Sequence, residues 1–152
     1  MSAYQNIVTI SEYGERGATG AKHVYLSTDY GDTFSLIFDL YVTQVDGRPA
    51  LTEKAHMHTT AYDPYFSRIW VAVGDITNTA TYYSDNLGES WTYVIDSNVM
   101  QYTGIVALPE AVIFGSDRHP NGVYVYHRKD KQTMPKIEPL LLVNNINTIT
   151  HV

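Results

Sequence analysis

The chain has 152 residues, with thirteen Tyr, four Phe and two Trp, a net charge of −6 and no cysteine. Its length suits one domain that buries roughly two thirds of its unfolded surface. The acidic balance argues against non-specific nucleic-acid binding and anionic membrane surfaces, and the lack of cysteine excludes disulfides and thiolate metal sites.

No segment carries a helical apolar period. Short apolar runs bounded by Gly, Pro, Asn and Asp recur instead, the mark of successive hairpins. We therefore expect an all-β chain, in keeping with its aromatic and β-branched content. Asn6–Ser11 reads as the first strand, followed by a loop over Glu12–Ala21. Lys22–Ser27 is the second strand. After a turn comes Phe34–Val42, where Phe34, Leu36, Phe38 and Leu40 alternate with Ser35, Ile37, Asp39 and Tyr41, close to period two. The polar stretch Thr43–Lys54, holding Gly47-Arg48-Pro49, is a connection.

The pattern then restarts. Ala55–Ala61 is a strand ended by a turn at Tyr62-Asp63-Pro64, and Arg68–Val73, Thr79–Ser84 and Trp91–Ile95 follow. A third round reads Met100–Ala107, a turn at Leu108-Pro109-Glu110, Ala111–Gly115, the loop Ser116–Gly122, Val123–Arg128, a turn at Lys129–Thr133 and Ile137–Val143. Ile146–Val152 starts another strand. No run reaches the length of a membrane span, and the polar N-terminus does not read as a signal peptide. Export then requires another route or a segment beyond this sequence.

One stretch repeats. Ser27-Thr28-Asp29-Tyr30-Gly31-Asp32-Thr33-Phe34 returns as Ser84-Asp85-Asn86-Leu87-Gly88-Glu89-Ser90-Trp91. Both fit Ser, any residue, Asp or Asn, any residue, Gly, any residue, Thr or Ser, then Phe or Trp. In a tight turn the Asp or Asn accepts backbone N–H bonds, and the Gly supplies a positive φ. The Ser and Thr hydroxyls tie the flanks, and the aromatic ring is expected to anchor the outgoing strand in the core.

This spacing resembles the Asp-box, or BNR repeat, of sialidase-like β-propellers, with Asn86 and Ser90 as variants in the second copy. The resemblance implies a fold and no activity, because in that family the box is a structural turn remote from the catalytic centre. It implies four-stranded antiparallel blades, and the rounds do align on a unit of about fifty residues. The blades cover residues 1–45, 53–98 and 99–144. The first round lacks an inner strand, which 146–152 supplies. Closed propellers need about four to eight blades. Three blades per chain therefore imply a homodimer closing a six-bladed ring by strand exchange, or a piece of a longer propeller. A single antiparallel sandwich with two similar turns is the plain alternative.

His56-Met57-His58 lies on the strand that the resemblance places at the central channel. Two residues apart in a strand, both imidazoles face one side. They can contact a ligand or channel water, and Asp75, Asp117 or His119 can join them. Neither a resident metal nor a cofactor is expected. Glu12, Asp75 and Asp117 each end the second strand of a round, so they either ring the channel mouth or cap their own loops. Asp63-Pro64 and Asp117-Arg118-His119-Pro120 read as turns. Tyr62, Tyr65, Phe66, Tyr82, Tyr83 and Tyr102 suit sugar stacking or packing between blades, and Phe34, Trp70 and Trp91 are assigned to packing.

Sialidase activity is not expected. Arg68-Ile69 lacks the Pro of the family's aromatic-Arg-Ile-Pro setting, and Arg16, Arg48, Arg68, Arg118 and Arg128 are scattered. His56–Asp75 also looks like propeller segments of bacterial and phage tail or surface proteins. The expected function is a non-catalytic module for glycan or surface-protein recognition, extracellular or on a virion. The alternatives are a glycoside hydrolase using Asp75 and Asp117, and a structural component of a phage tail or virion.

Overall fold

A computed structural model describes residues 1–14, 20–48, 50, 55–74, 79–94, 100–118, 120–128 and 137–142. These residues form three four-stranded antiparallel sheets and no α-helix. The first sheet runs β1 (Ser2–Tyr4), β2 (Ile7–Ser11), β3 (His23–Ser27) and β4 (Ser35–Asp39). The second runs β5 (His56–Asp63), β6 (Arg68–Gly74), β7 (Ala80–Ser84) and β8 (Thr92–Tyr93). The third runs β9 (Tyr102–Ala107), β10 (Ala111–Ser116), β11 (Gly122–His127) and β12 (Glu138–Leu142). Within each sheet, strands adjacent in sequence are neighbours.

The first sheet departs from the sequence reading. The place left for residues 146–152 is filled by β1, with Tyr4 paired to Ile7 and Ser2 to Thr9. Its hairpin turns at Gln5 and Asn6 with Gln5 at φ 52, without the Gly that usually announces such a turn. Residues 146–152 lie outside the described set.

Alternation along β6 explains how the sheets stack. Ile69, Val71 and Val73 join Val24, Leu26, Phe38 and Leu40 of the first sheet in one apolar cluster. Trp70 and Ala72, on the opposite face, join Val112, Phe114, Tyr124 and Tyr126 of the third sheet in another. Successive side chains point to opposite faces, so the second sheet is covered on both and every residue of β6 is buried. Each large side chain buried in this way contributes roughly 1.5–3 kcal/mol. Trp70 meets Phe114 and Tyr126 edge-on at centroid distances of 5.4 and 5.8 Å. Beside β5 lie β9 on one side and β1 and β2 on the other, which gathers the first strands of all three sheets.

The two repeated turns share one hydrogen-bond network. Gly31 N donates to Ser27 Oγ at 2.8 Å, and Thr33 N to Asp29 Oδ1 at 3.0 Å. Gly88 N donates to Ser84 Oγ at 2.8 Å, and Ser90 N to Asn86 Oδ1 at 3.0 Å. Gly31 and Gly88 adopt φ 95 and 97. Thr33 Oγ1 donates to Asp29, whereas Asn86 Nδ2 donates to Ser90 Oγ, so Asn replaces Asp by reversing one bond.

The aromatic residues of the two turns diverge. Trp91 is buried against Phe38 at 4.8 Å and donates Nε1 to Ile37 O at 3.1 Å, across to the first sheet. Phe34, expected in the core, is 42% exposed. The difference is positional: the first sheet covers Trp91, while no other sheet among the described residues covers the corresponding face of the first sheet.

Asp63 is more than a turn residue. It is fully buried and accepts Arg128 Nη1 at 2.6 Å, linking the second sheet to the third. The Arg128 guanidinium also stacks over Phe66 at 4.6 Å. On the other side of that region Arg68 makes a paired bond to Asp85 at 2.6 and 2.8 Å, with its guanidinium 3.9 Å from the Tyr83 ring.

Candidate functional site

The His56-Met57-His58 segment is irregular. His56 pairs with Gly74, Met57 with Val73 and Thr59 with Ala72, so His58 is the extra residue of a bulge. Bulges re-aim side chains locally. Met57 is fully buried in the cluster shared with the first sheet. The two imidazoles come together, with ring centroids 4.7 Å apart. Gly74 makes this arrangement possible, because a Cβ there would lie 2.2 Å from His58 Cε1.

His58 borders a cavity of about 470 Å³ where the first strands of the three sheets meet. Ser2 and Ser11 line it from the first sheet, together with Tyr13 just beyond β2. Thr59 and Thr60 come from β5, Thr103 and Ile105 from β9, and Asp117 from the end of β10. Ser2 Oγ also accepts Tyr62 N at 3.2 Å, which fixes β1 against β5. Thr103 Oγ1 is buried and has no hydrogen-bond partner among the described residues. A buried hydroxyl in that state costs about 1–3 kcal/mol, an amount that a ligand bond can recover. Tyr13 is 81% exposed at the rim, where its ring face is free to stack.

Of the residues singled out in the sequence, His58 and Asp117 line this cavity and His56 lies behind His58. Asp75 and His119 lie outside the described residues. Glu12 turns away and caps its own loop. Its carboxylate accepts Lys22 N at 3.0 Å, His23 N at 3.1 Å and His23 Nδ1 at 2.9 Å. Burial alone would raise this carboxyl, but these bonds outweigh it and hold it below the usual carboxylate range. The opposite nitrogen of the same ring, Nε2, lies 3.2 Å from Asp39, completing a Glu12–His23–Asp39 cluster that no sequence motif announced.

The hydroxyl residues Ser2, Ser11, Tyr13, Thr59 and Thr103 were also missed. Their sequence signal is weak: Ser2, Ser11, Tyr13 and Thr103 lie at or near the ends of strands, whereas Thr59 lies within β5 next to the His58 bulge. Among the described residues, no group of three His, Asp or Glu side chains is placed to hold a metal ion. Tyr82 and Tyr102 are buried in the two apolar clusters, while Tyr65 is 49% exposed.

A second, larger hollow of about 780 Å³ lies between the Gly88–Trp91 turn and residues 43–47. Among its described lining residues the charged ones are Asp46 and Glu89, with neither an imidazole nor a Lys or Arg. The smaller cavity is chemically richer. Among its described lining residues are five hydroxyl side chains besides Thr60, one imidazole, one carboxylate and neither Lys nor Arg. That set matches neutral polar ligands with both donors and acceptors. The described lining offers no guanidinium or lysine ammonium of the kind that clamps a phosphate or carboxylate ligand.

No protein-family model, curated protein or solved structure matches the chain.

Proposed function

We propose that the chain is a non-catalytic recognition module of Asp-box propeller type that binds uncharged sugar units of a glycan in the cavity bordered by His58 and Asp117. The observation that carries this reading is the lining itself: hydroxyls, an imidazole and a carboxylate around about 470 Å³, with an exposed tyrosine at the rim and, among the described lining residues, no Lys or Arg. Sugar hydroxyls both donate and accept, and pockets of about 300–1,000 Å³ suit small ligands. The propeller part of the reading draws support from the matched turn networks at Ser27 and Ser84. It also draws support from three stacked sheets whose first strands lie together.

Catalysis is not part of the reading. Glycoside hydrolysis ordinarily uses two carboxyl groups flanking the bond, and Asp117 is the one carboxylate among the described lining residues.

A panel of immobilised neutral glycans, followed by titration calorimetry with the best binder, tests the proposal. Asp117→Asn and His58→Ala should each weaken binding by about tenfold to a hundredfold, as expected for losing a hydrogen bond to a charged or fully engaged group. Silence across the panel at high protein concentration, or binding untouched by both substitutions, would refute it.

A further inference from the structure

The first sheet presents an outer face with the same register as a face that the second sheet buries. Val8 pairs with Ser27 and Ile10 with Tyr25, as Ile69 pairs with Ser84 and Val71 with Tyr82. Tyr25 pairs with Leu36 as Tyr82 pairs with Tyr93. The turns carry the match on from Phe34 to Trp91. In the second sheet Ile69, Val71, Tyr82, Trp91 and Tyr93 are all buried, and the first sheet covers them. In the first sheet Phe34 is 42% and Leu36 53% exposed, while Val8, Ile10 and Tyr25 are half-buried. Five positions built alike are thus fully covered in one sheet and, among the described residues, only partly covered in the other.

The structure also shows what covers such a face: the opposite face of the preceding sheet. One face of that kind is left over at the other end of the stack. On the third sheet Ile113, paired with Val125 and Val106, points away from the second sheet together with Val123. Ile113, Val106 and Val123 are half-buried. Both faces are apolar and built from strands; on the third sheet Val125 is buried, while Ile113, Val106 and Val123 keep part of their surface open among the described residues. At the corner of the first face, Glu12, His23 and Asp39 are hydrogen-bonded to one another.

We propose that the partner for each face is a second copy of this chain. The outer face of one chain's first sheet packs on the outer face of the other's third sheet, twice over, and two chains close a ring of about six sheets, within the range of closed sheet rings. Each contact is between unlike faces, yet the pair is twofold symmetric and has no further open face. The ring depends on the propeller reading of the stacked sheets but not on the identity of any ligand. With closure, the cavity at the first strands becomes part of a shared central space rather than an open edge.

Light scattering on the eluting protein tests this. The wild type should have twice the 17.1 kDa chain mass. Leu36→Asp on one face and Val123→Asp on the other should each give a single-chain mass. An equimolar mixture of the two should recover dimer, because it restores one of the two unlike contacts. A single-chain wild type, a dimer indifferent to both substitutions, or a mixture that fails to reassociate overturns the proposal.

If either variant does not fold, hydroxyl-radical footprinting of the wild type decides. Phe34 and Leu36 should be as protected as Trp91, and labelling as heavy as that of Tyr13 overturns the ring. A single-chain protein that still binds glycan through His58 and Asp117 fails this inference alone. A dimer silent on glycans fails the recognition reading alone.

Discussion

Replacing Arg128 by methionine removes the cation that joins the second and third sheets. In the wild type, Arg128 Nη1 donates to Asp63 Oδ2 at 2.6 Å, and Nε donates to Leu108 O at 2.7 Å. Asp63 is fully buried. Without Arg128 its carboxylate keeps only Tyr65 N at 3.1 Å and a long contact from Trp70 Nε1 at 3.5 Å. A buried charge stripped of its partner costs about 3–5 kcal/mol, a large share of the 5–15 kcal/mol typical of a whole domain. At this chain length each kcal/mol moves the melting temperature by about 2–4 °C, so a drop of about 10 °C is expected. The double variant Asp63→Leu with Arg128→Met removes both charges and should lose less than Arg128→Met alone. Urea unfolding followed by tryptophan fluorescence, with thermal circular dichroism, measures all members of the cycle. An Arg128→Met protein within about 1 kcal/mol of wild type would refute the claim that this pair locks the two sheets.

Three further outcomes are expected. Asp29 sits at about 2 instead of 3.8, because Ser27 and Thr33 hydrogen-bond its charged form. A lowered folded value means that its contribution is complete above about pH 4 and disappears towards pH 2. Hydrogen exchange at Gly31 and Thr33, referenced to Gly88 and Ser90, should show the first turn opening over that range. Asp29→Asn should abolish the difference, since Asn86 already holds the second turn without titrating, and a persisting difference contradicts the network.

Trp91→Ala deletes a buried ring and its bond to Ile37, and should cost about 3–5 kcal/mol in chemical denaturation. A loss below about 1 kcal/mol would mean that the first two sheets do not rely on it. Gly74→Ala places a Cβ against the His58 ring. It should weaken glycan binding by at least about tenfold for an overpacking strain of about 1–3 kcal/mol. Unchanged affinity in the same calorimetric titration would show that His58 does not set the cavity.

Much of the local architecture was legible in the residues. The hydroxyls, the Asp or Asn and the Gly of both turns make bonds within a few positions of themselves, so their pattern carries the geometry. The apolar run within Arg68–Val73 announced a strand, while its cover on both faces comes from the two flanking sheets. Strand β1 was missed because Gln5 and Asn6 turn the chain without a glycine. Glu12 and Asp63 were read by their neighbours in sequence as loop and turn residues. Asp63 gains its importance from Arg128, which no local pattern pairs with it. The cavity was half legible: the alternation of a strand pointed to His58, while the hydroxyls of Ser2, Tyr13 and Thr103 belong to it only by virtue of sheet packing.

By itself, then, the order of residues determined that the chain is all strand, where it turns, and which residues hold the two equivalent corners. Those outcomes rest on hydrogen bonds and steric limits acting over a handful of positions. Tertiary structure decided which faces are covered, why Trp91 is buried while Phe34 is bare, and which side chains share a cavity. These depend on contacts between sheets distant in sequence, where the free energy comes from apolar area removed from water and from charges meeting across a packed interface.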